Sequence, residues 1–463
     1  MAVRKTKVFL LCGSAFALAS CASITSREEA GSAARASLPE VAEVWVSAQE
    51  SVGDVEVGWL DAIGDETLSG LVREAQTNNR NLQAAAANVE RSWGLAQQAG
   101  AALQPQVNLI AGGTQSGGVN GAGQGGGSAN VGLQVDWELD VWGRIRSGQQ
   151  AAAASAEAAE ADYRFSQYSL AAAVARAYFI AIEAGVQTDV ASKTVDALTE
   201  TNRIVTAQYE EGLASSQDLA LAQSDLSSAE ANLIAAEGSK RNALRALEVL
   251  LGRYPAADLE VRMALPDTPP TPSAGLPSEL LERRPDIIAA ERQVAASFNS
   301  LDQAKAAKMP AISLTSTIGG SSNQLSNLLN PANVAWTVGG NLLAPLFDGG
   351  ARQSQVEIST AEQKQAVAAY GQAALGAFQE VESGLDQSVV LRQQEESLKR
   401  AAANANEAFR SANLQYKEGE TSLLDVLVIQ QRVFSADSNR VGVERARLEQ
   451  WVNLNLALGG SWE

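Results

Sequence analysis

Histidine is absent from this sequence of 463 residues, only two cysteines are present, and aromatic residues make up 5% of the total. The lack of histidine excludes histidine-based general-base catalysis, and the lack of paired cysteines excludes the usual cysteine and histidine metal sites. The sequence also has no phosphate-binding loop, no nucleophile elbow and no dinucleotide fingerprint in a strand-turn-helix context. These absences predict that the protein is not an enzyme and uses no cofactor or metal.

Basic residues are also scarce, because 35 Lys and Arg stand against 53 Asp and Glu, for a net charge of −18. Such an acidic protein offers no basic patch for nucleic acid, so a nucleic-acid partner is not expected. Hydrophobic residues make up 46% of the chain, with alanine dominant. This composition favours close helix packing in an elongated protein over large globular cores.

The N-terminus has the pattern of a secretory signal, with basic residues from Arg4 to Lys7 and an apolar run, Val8 to Ala19, too short to span a bilayer. Leu18-Ala-Ser-Cys21 resembles the bacterial lipobox, so Cys21 is predicted to be acylated and to become the first mature residue. The alternative is that Cys21 is merely a small residue in an ordinary signal peptide. Cleavage would remove three basic residues and no acid, changing the charge from −18 to −21, and would leave no second thiol for a disulfide.

A strand that leads into a long helix is the main positive feature. From Asn130 to Leu139, apolar residues alternate with polar or small ones, which is the period of a strand between two different solvents. From Arg144 to Glu211 there is no proline, and a helix of about 68 residues would be roughly 100 Å long. A second helix, Ser216 to Leu251, then returns, which makes a helical hairpin with its tip near Gly212.

The same unit occurs twice. Tyr416 of Tyr-Lys-Glu-Gly419 follows Tyr209 of Tyr-Glu-Glu-Gly212 by 207 residues (416 − 209 = 207). Matching landmarks over this length indicate internal duplication, which fixes the architecture more firmly than any single motif. Each repeat is predicted to contain a helix, two strands and a long helical hairpin. The predicted segments are a signal peptide (1–20), an N-terminal linker (21–60), the first repeat (61–252), a proline-rich linker (253–276), the second repeat (277–458) and a C-terminal tail (459–463).

The first helix of the first repeat is predicted to run without interruption from Asp65 to Leu103. The glycine-rich stretch from Gly112 to Ala129 is predicted to be a long polar loop between two strands, because it lacks the Lys-Ser/Thr of a phosphate cradle. The predicted strands are 106–111, 130–139, 311–318 and 333–342.

The four strands have the length and alternation of tilted strands that cross a bilayer. Val135 is expected to face lipid and Asp136 a water-filled lumen. Four strands cannot close a membrane barrel, because open edges would leave backbone groups unpaired in hydrocarbon, so several chains must share one barrel. A half-buried sheet in a water-soluble domain is the alternative, which alternation alone does not exclude. Aromatic residues near the strand ends are candidates for an interfacial girdle: Trp137, Trp142, Trp336 and Phe347.

The ordered set of motifs resembles the outer-membrane factor family, the TolC and OprM group, nearest its NodT-like efflux lipoproteins. The resemblance rests on the two strand-to-helix junctions, Trp137 to Arg144 and Pro345 to Gly350, on both Tyr-x-x-Gly tips and on the closing Leu458 to Trp462. It implies a mostly α-helical fold with a membrane β-barrel portion, in which a homotrimer shares a 12-stranded barrel and a long periplasmic α-barrel. The implied location is the cell outer membrane, and Ala22 in place of an Asp favours that membrane over inner-membrane retention.

The resemblance also implies a passive exit duct in a tripartite efflux system, for drugs or small molecules. An inner-membrane pump, most often of the RND type, would deliver them through a periplasmic adaptor. Two alternatives remain open at the level of sequence. One is a duct of the same construction in a type I protein secretion system. The other is a structural coiled-coil lipoprotein without a pore, which the two strand pairs disfavour.

The site residues are also implied by the resemblance. The hairpin tips, with Tyr209, Gly212 and Gly419, would dock the adaptor, and the second tip would form the narrowest ring of the periplasmic aperture. Many relatives read Leu-Asp-x-Leu-Asp-Ala-Gln there, whereas this chain reads Leu424-Asp-Val-Leu-Val-Ile-Gln430. Val428 stands where those relatives have the second Asp, so a mainly apolar constriction is expected. The aperture residues are Tyr416, Leu424, Asp425 and Val428, with Asp425 available to bond a neighbouring hairpin; the alternative is that Leu424 and Val428 merely pack between helices.

Overall fold

A computed structural model describes residues 27–47, 53, 55, 58–117 and 126–460. The predicted signal peptide, Cys21 and Trp462 lie outside the described residues. Two short 3₁₀ helices connect the last two strands. In chain order the elements are α1 (Arg27–Arg35), α2 (Trp59–Ile63), α3 (Glu66–Asn78), α4 (Arg80–Ala101), β1 (Gln106–Ser116), β2 (Gly126–Leu139), α5 (Arg144–Glu210), α6 (Ser216–Leu250), α7 (Pro277–Arg283), α8 (Pro285–Ala306), β3 (Ala311–Ser322), β4 (Val334–Leu343), α9 (Ala351–Lys417) and α10 (Leu423–Ala457).

The two halves of the chain have helices of matching length. The helices before the strands, α4 and α8, have 22 residues each. The long helices α5 and α9 have 67 residues each, and the returning helices α6 and α10 have 35 each. Because both the order and the lengths repeat, the structure has the duplicated construction that the sequence predicts.

Glycine ends each long helix in the same way. At the first hairpin tip the Gly212 N–H donates to the Tyr209 carbonyl oxygen (3.0 Å), and Gly419 donates to the Tyr416 carbonyl oxygen (3.1 Å) at the second. Gly212 and Gly419 have φ of 75° and 80°, a left-handed conformation that residues with a Cβ rarely adopt. The Tyr-x-x-Gly motif is therefore a helix-stop signal, which explains why it marks both tips.

The predicted uninterrupted helix from Asp65 to Leu103 is wrong, because Asn79 divides it into α3 and α4. Asn79 has extended backbone angles (φ −65°, ψ 124°). Its side-chain oxygen accepts a hydrogen bond from the Leu82 N–H (3.1 Å), and its amide nitrogen donates to the Leu250 carbonyl oxygen (2.9 Å). Asparagine commonly caps helices in this manner, so one residue both stops α3 and starts α4.

The strands extend further than their apolar alternation indicates. β1 continues to Ser116 and β2 begins at Gly126, so much of the glycine-rich stretch predicted as loop is paired strand. The Thr114 and Ser128 hydroxyls share a hydrogen bond of 2.9 Å across this extension. The hydrogen bonds that pair strands use backbone groups and need no apolar side chain. The ends of β1 and β2 could therefore not be recognised in a stretch rich in glycine and serine.

The chain forms two compact units. The first, built mainly from Ala87–Ala161 and Ile288–Ala373, contains one antiparallel sheet in the order β1-β2-β3-β4. The β2–β3 pair joins the two halves of the chain, with Leu133 opposite Ile318 and Leu139 opposite Ile312. The two strand pairs, one from each half of the chain, therefore form one continuous sheet.

The second unit, built mainly from Asp162–Ile287 and Ala374–Glu463, contains the largest core. Tyr178, Phe179 and Ile182 of α5 are fully buried there, and Trp451 stacks edge-on against Trp59 with ring centroids 6.2 Å apart. A stretch of α5 is long and apolar enough to cross a membrane, but 56% of that stretch is buried inside the protein. Its apolar character is therefore accounted for by core packing.

The proline-rich linker contains no helix or strand but is fixed to the second unit. The buried Glu248 carboxylate accepts hydrogen bonds from the backbone N–H groups of Ala257 (2.7 Å), Asp258 (2.9 Å) and Leu259 (3.2 Å). Further along, the Trp451 indole donates to the Pro270 carbonyl oxygen (2.8 Å). These bonds explain how a segment without regular structure adopts one defined path.

Candidate functional site

One face of the four-stranded sheet is mainly apolar across all four strands, with Ser316 as the one polar side chain in its rows. Residues directly opposite each other in an antiparallel ladder point to the same side, so the register sorts the side chains into two faces. Between the ends of the apolar face there are eight residue steps on β2, about 26 Å at about 3.3 Å per residue. The rows of this face are Leu139, Ile312 and Leu342; Trp137, Leu314 and Gly340; Val107, Val135, Ser316 and Val338; Leu109, Leu133, Ile318 and Trp336; and Ala111, Val131, Gly320 and Val334.

Most of the large side chains of this face are exposed in the single chain, and the others are half-buried. Leu109 is 73% exposed, Trp336 72% and Val338 70%. A continuous exposed apolar patch of this size marks a surface that another apolar phase covers. Strands in outer-membrane barrels are tilted by about 35–45°, so about 26 Å of strand rises roughly 18–21 Å, which fits within an apolar band about 25 Å tall. The face is therefore suited to lipid.

The opposite face of the sheet is mainly polar or small. Asp136 lies beside Thr315, and Gln134 beside Thr317. Gln134 donates to the Asp136 carboxylate (2.8 Å), and the Thr317 and Thr337 hydroxyls share a hydrogen bond of 2.6 Å. Since the polar groups bond along the face and do not pack into a core, this face is suited to water.

Two features of the backbone shape the sheet. Gly132 and Gly319 face each other across the β2–β3 pair, and a Cβ at Gly132 would lie 2.7 Å from the Ile318 carbonyl oxygen. Only glycine permits this close approach. Within the described chain, β1 pairs only with β2 and β4 only with β3, so the sheet has two open edges. The open edges leave backbone donors and acceptors available to further strands.

Each junction between sheet and long helix is held by an aspartate. The Asp140 carboxylate accepts hydrogen bonds from the backbone N–H groups of Ile145 and Arg146 (both 2.9 Å) at the start of α5. The Asp348 carboxylate accepts from Arg352 N–H (3.2 Å) at the start of α9. Both acids interact favourably with the positive end of a helix. Asp140 and Asp348 therefore cap the long helices, a role that the sequence analysis did not predict.

The predicted aromatic girdle residues lie near both borders of the apolar face. Trp137 and Trp336 belong to the second row from either end. The indoles of Trp137 and Trp142 donate to the carbonyl oxygens of Leu103 (3.0 Å) and Pro310 (2.8 Å). An apolar ring with a satisfied N–H suits a membrane interface.

The two hairpin tips meet in the second unit. The Tyr416 hydroxyl donates to the Gln208 side-chain oxygen (2.9 Å), which links the second tip to the end of α5. A small core cluster joins the same helices, with Leu198 and Val205 of α5 packed with Leu423 and Leu427 of α10. The structure therefore brings Tyr416 and the first tip together, whereas Tyr209 remains 44% exposed.

Leu424 and Val428 occupy the outer face of α10. They are 59% and 45% exposed, whereas Val426 and Leu427 between them are buried. Within one chain, Val426 and Leu427 therefore provide the buried packing between helices, and Leu424 and Val428 do not. The two side chains lie one turn apart and form a short apolar stripe.

Asp425 has a local partner that the sequence interpretation did not foresee. Its carboxylate accepts hydrogen bonds from the hydroxyls of Ser422 (2.6 Å) and Thr421 (3.3 Å), and its N–H donates to the Ser422 hydroxyl (3.2 Å). The bond from Ser422 is the main reason that the Asp425 pKa lies below its usual value. Both hydroxyls bond to Oδ2, and neither bond uses Oδ1, so the carboxylate also caps its own helix start while its availability to a neighbouring hairpin stays a prediction.

No three acidic or cysteine side chains of the described residues lie close enough together to hold a metal ion. The geometry instead defines a class of protein: a membrane β-sheet with one lipid-compatible face, joined to long paired helices. The chain matches the family model described as outer membrane efflux protein over residues 71–253 and 276–460. It belongs to that family, and it is a protein of the cell outer membrane.

Individual relatives and structures agree with this assignment. The pyoverdine export outer membrane protein OpmQ of Pseudomonas aeruginosa is 31% identical over 423 residues, which cover 88% of this chain and 87% of OpmQ. The cation efflux system protein CusC of Escherichia coli is 30% identical over 414 residues, or 88% of each chain. The open-state crystal structure of the outer membrane channel MtrE of Neisseria gonorrhoeae superimposes with a TM-score of 0.82 at 28% identity, covering 92% of this chain and 97% of MtrE. The predicted family and fold class, mostly helical with a membrane β-barrel portion, are confirmed.

Proposed function

We propose that three copies of this chain form one channel, in which their sheets join edge to edge as a 12-stranded outer-membrane barrel. The observation that carries the proposal is the four-stranded sheet with a continuous apolar face and two open edges. Open edges are not tolerated in hydrocarbon, and four strands are too few to close on themselves. Pairing β1 of one copy with β4 of the next removes every edge. The polar faces then line the lumen, and the long helices form a periplasmic duct.

The channel is the passive exit of a tripartite efflux system. An inner-membrane pump, of the RND type, drives transport, and a periplasmic adaptor delivers the substrate and docks at the tips marked by Tyr209, Gly212 and Gly419. The chain has no sequence motif for nucleotide binding, so the driving force has to come from such a partner. The names of the relatives, pyoverdine export and cation efflux, favour small molecules or ions over secreted proteins as cargo.

The mass and conductance of the purified protein test this assembly. In detergent we expect a particle with three copies of the 48.4 kDa precursor chain less its signal peptide, and in planar bilayers a discrete single-channel conductance. A monodisperse single chain without conductance would contradict the channel. Co-purification with an inner-membrane pump and a periplasmic adaptor tests the tripartite part separately, so either half of the proposal can fail alone.

The aperture of the channel is proposed to be an apolar ring made by Leu424 and Val428 from three copies. Apolar rings gate pores by dewetting, whereas carboxylate rings favour cations. In planar bilayers we therefore expect Val428→Asp to raise cation selectivity and Leu424→Ser to raise the resting conductance. Leu213→Ser is the matched control, because Leu213 is also an exposed leucine (76%) but lies at the first tip. Unchanged selectivity and conductance in both aperture variants would place the constriction elsewhere.

Lipid on Cys21 is proposed to assist anchoring, while a closed barrel holds the channel in the membrane. Mass spectrometry of the N-terminal peptide is expected to show Cys21 as the first residue with attached acyl chains, including palmitate. Cys21→Ala behind a substitute cleavable signal is expected to keep full single-channel conductance, because the anchor lies outside the strands. An unprocessed or free Cys21 would rule out the lipoprotein assignment without affecting the channel.

A further inference from the structure

A cavity between α5, α6 and α10 contains polar groups that the proposed channel does not use. It lies within the second unit, and its volume is about 240 Å³. Leu198, Leu221, Leu427 and Phe434 provide apolar walls, and the proposed aperture residues Leu424 and Val428 also line the cavity. Asp225 and Gln430 provide the polar groups that matter here. Six of the fourteen lining residues are polar, and a lining that combines apolar walls with polar groups is typical of small-molecule sites.

Gln430 is the first sign that the cavity has an occupant. Its side chain is 5% exposed, yet neither its oxygen nor its nitrogen has a hydrogen-bond partner. Burial of an amide with both polar atoms unpartnered is unfavourable, and a leucine would fill the same space without that cost. Since Val426 and Leu427 nearby on α10 are apolar and buried, the unpartnered amide is an exception on this helix.

Asp225 is the second sign, and it comes from a different helix. The side chain is half-buried on α6, lines the cavity, and forms no hydrogen bond or ion pair with any described residue. Burial raises the pKa of this carboxyl above its ordinary value, which reflects the missing counter-charge. No lysine or arginine belongs to the cavity lining. The cavity thus contains an acid without a cation and an amide without a partner.

We propose that this cavity binds a small organic monocation that has a primary ammonium group and a compact aromatic or branched apolar part. The ammonium donates hydrogen bonds to the Asp225 carboxylate and to the Gln430 oxygen, while the apolar part packs against Leu427 and the Phe434 ring. The volume of about 240 Å³ lies below the roughly 300–1,000 Å³ of pockets that hold drug-sized ligands, so the ligand is smaller than a typical drug. The net charge of −18 enriches cations near the surface and disfavours anions of the same size.

Calorimetric titration of the full-length assembled protein with 2-phenylethylammonium tests the proposal. Phenylacetate and 2-phenylethanol serve as an anion and a neutral molecule of similar size. We expect saturable binding of the ammonium, one site per chain, and at least tenfold weaker binding of both other compounds. Asp225→Asn is expected to weaken ammonium binding at least tenfold. Glu230→Gln is the matched control, because Glu230 is an exposed acid on the same helix, and it is expected to bind as the wild type does.

Gln430→Leu separates binding from folding. This variant is expected to bind the ammonium at least fivefold more weakly while its helices melt at the same or a higher temperature, since an unpartnered buried amide is removed. Equal binding of the ammonium and phenylacetate, or undiminished binding by Asp225→Asn, would overturn the proposal. Binding by dissociated chains but not by the assembled protein would also overturn it, because a neighbouring copy would then fill the cavity. The cavity shares Leu424 and Val428 with the proposed aperture, but the titrations measure binding and not conductance, so failure of the binding site and failure of the channel are distinguishable.

Discussion

Replacing Val135 with arginine is expected to prevent most of the protein from assembling, whereas Asp136→Arg, one residue further along, leaves assembly intact. Val135 lies in the middle row of the apolar face, between Val107 on β1 and Ser316 on β3. An arginine at the bilayer midplane on the lipid face costs roughly 2–4 kcal/mol per chain. Because every copy in a symmetric assembly carries the same change, the effect is repeated around the barrel.

The fraction of oligomer that survives on unheated gels measures this effect. Asp136→Arg is the matched control, since it introduces the same side chain on the same strand but on the polar face. It removes the two hydrogen bonds that the Gln134 amide donates to the Asp136 carboxylate oxygens (3.1 and 2.8 Å), a loss of about 1–2 kcal/mol. An equal loss of oligomer in both variants would mean that the faces are assigned the wrong way round or that the sheet does not contact lipid.

Removal of the Asp65 side chain is expected to lower the free energy of unfolding of the second unit by about 2–4 kcal/mol. The buried carboxylate accepts hydrogen bonds from the Thr67 and Leu68 N–H groups, so it caps α3. It also accepts from the Tyr178 hydroxyl and from Arg262, both at 3.0 Å. Asp65→Ala loses the cap, about 1 kcal/mol, and leaves a buried hydroxyl unpaired, a further 1–3 kcal/mol. Arg262 is half-exposed, so water replaces its partner at little further cost.

The midpoint of helix loss in circular dichroism measures this change. Asp61→Ala is the control, because it removes an exposed acid a few residues away on α2. It is expected to move the midpoint by little. If both variants melt alike, the network around Asp65 does not contribute to stability in the way the contacts imply.

The same carboxylate makes stability depend on pH. Burial alone raises the Asp65 pKa, but the hydrogen bonds from Arg262, the Leu68 N–H and Tyr178 outweigh it and hold the pKa below its ordinary value of 3.8. The folded state therefore favours the charged form, so this contribution is fully present above the unfolded pKa of 3.8 and is lost as pH falls through the lower folded value. We expect the difference in melting midpoint between wild type and Asp65→Asn to be constant near neutral pH and to shrink below about pH 4. A difference that persists unchanged to pH 2 would contradict this assignment.

The features that the sequence predicted well are those that repeat or extend over many residues. The two long helices, the four strands and the sorting of Val135 and Asp136 to opposite faces follow from periodicity, and the tips follow from duplicated glycines. The ends of elements were harder to predict, because they depend on single hydrogen bonds. Asn79 interrupts a helix whose apolar pattern continues through it, and Asp140 caps α5 from four residues before its first turn.

The polar groups of the cavity between α5, α6 and α10 could not be predicted from sequence periodicity or duplication. Asp225 and Gln430 belong to different halves of the chain, and each has the spacing of an ordinary residue on a long helix. Only the packing of α5, α6 and α10 makes them neighbours of one cavity. A single sequence does not contain that information, because side-chain burial depends on contacts between distant segments.

The pairing of β2 with β3 has a consequence for the order of folding. β1 and β2, like β3 and β4, are joined by short connections and can form hairpins locally, but Leu133 meets Ile318 only after the whole of α5 to α8 has been bridged. Closing so long a loop makes this the slow pairing of the sheet. Until it occurs, one chain has four unpaired strand edges and two halves of an apolar surface, so a nascent chain is most prone to aggregate at this stage.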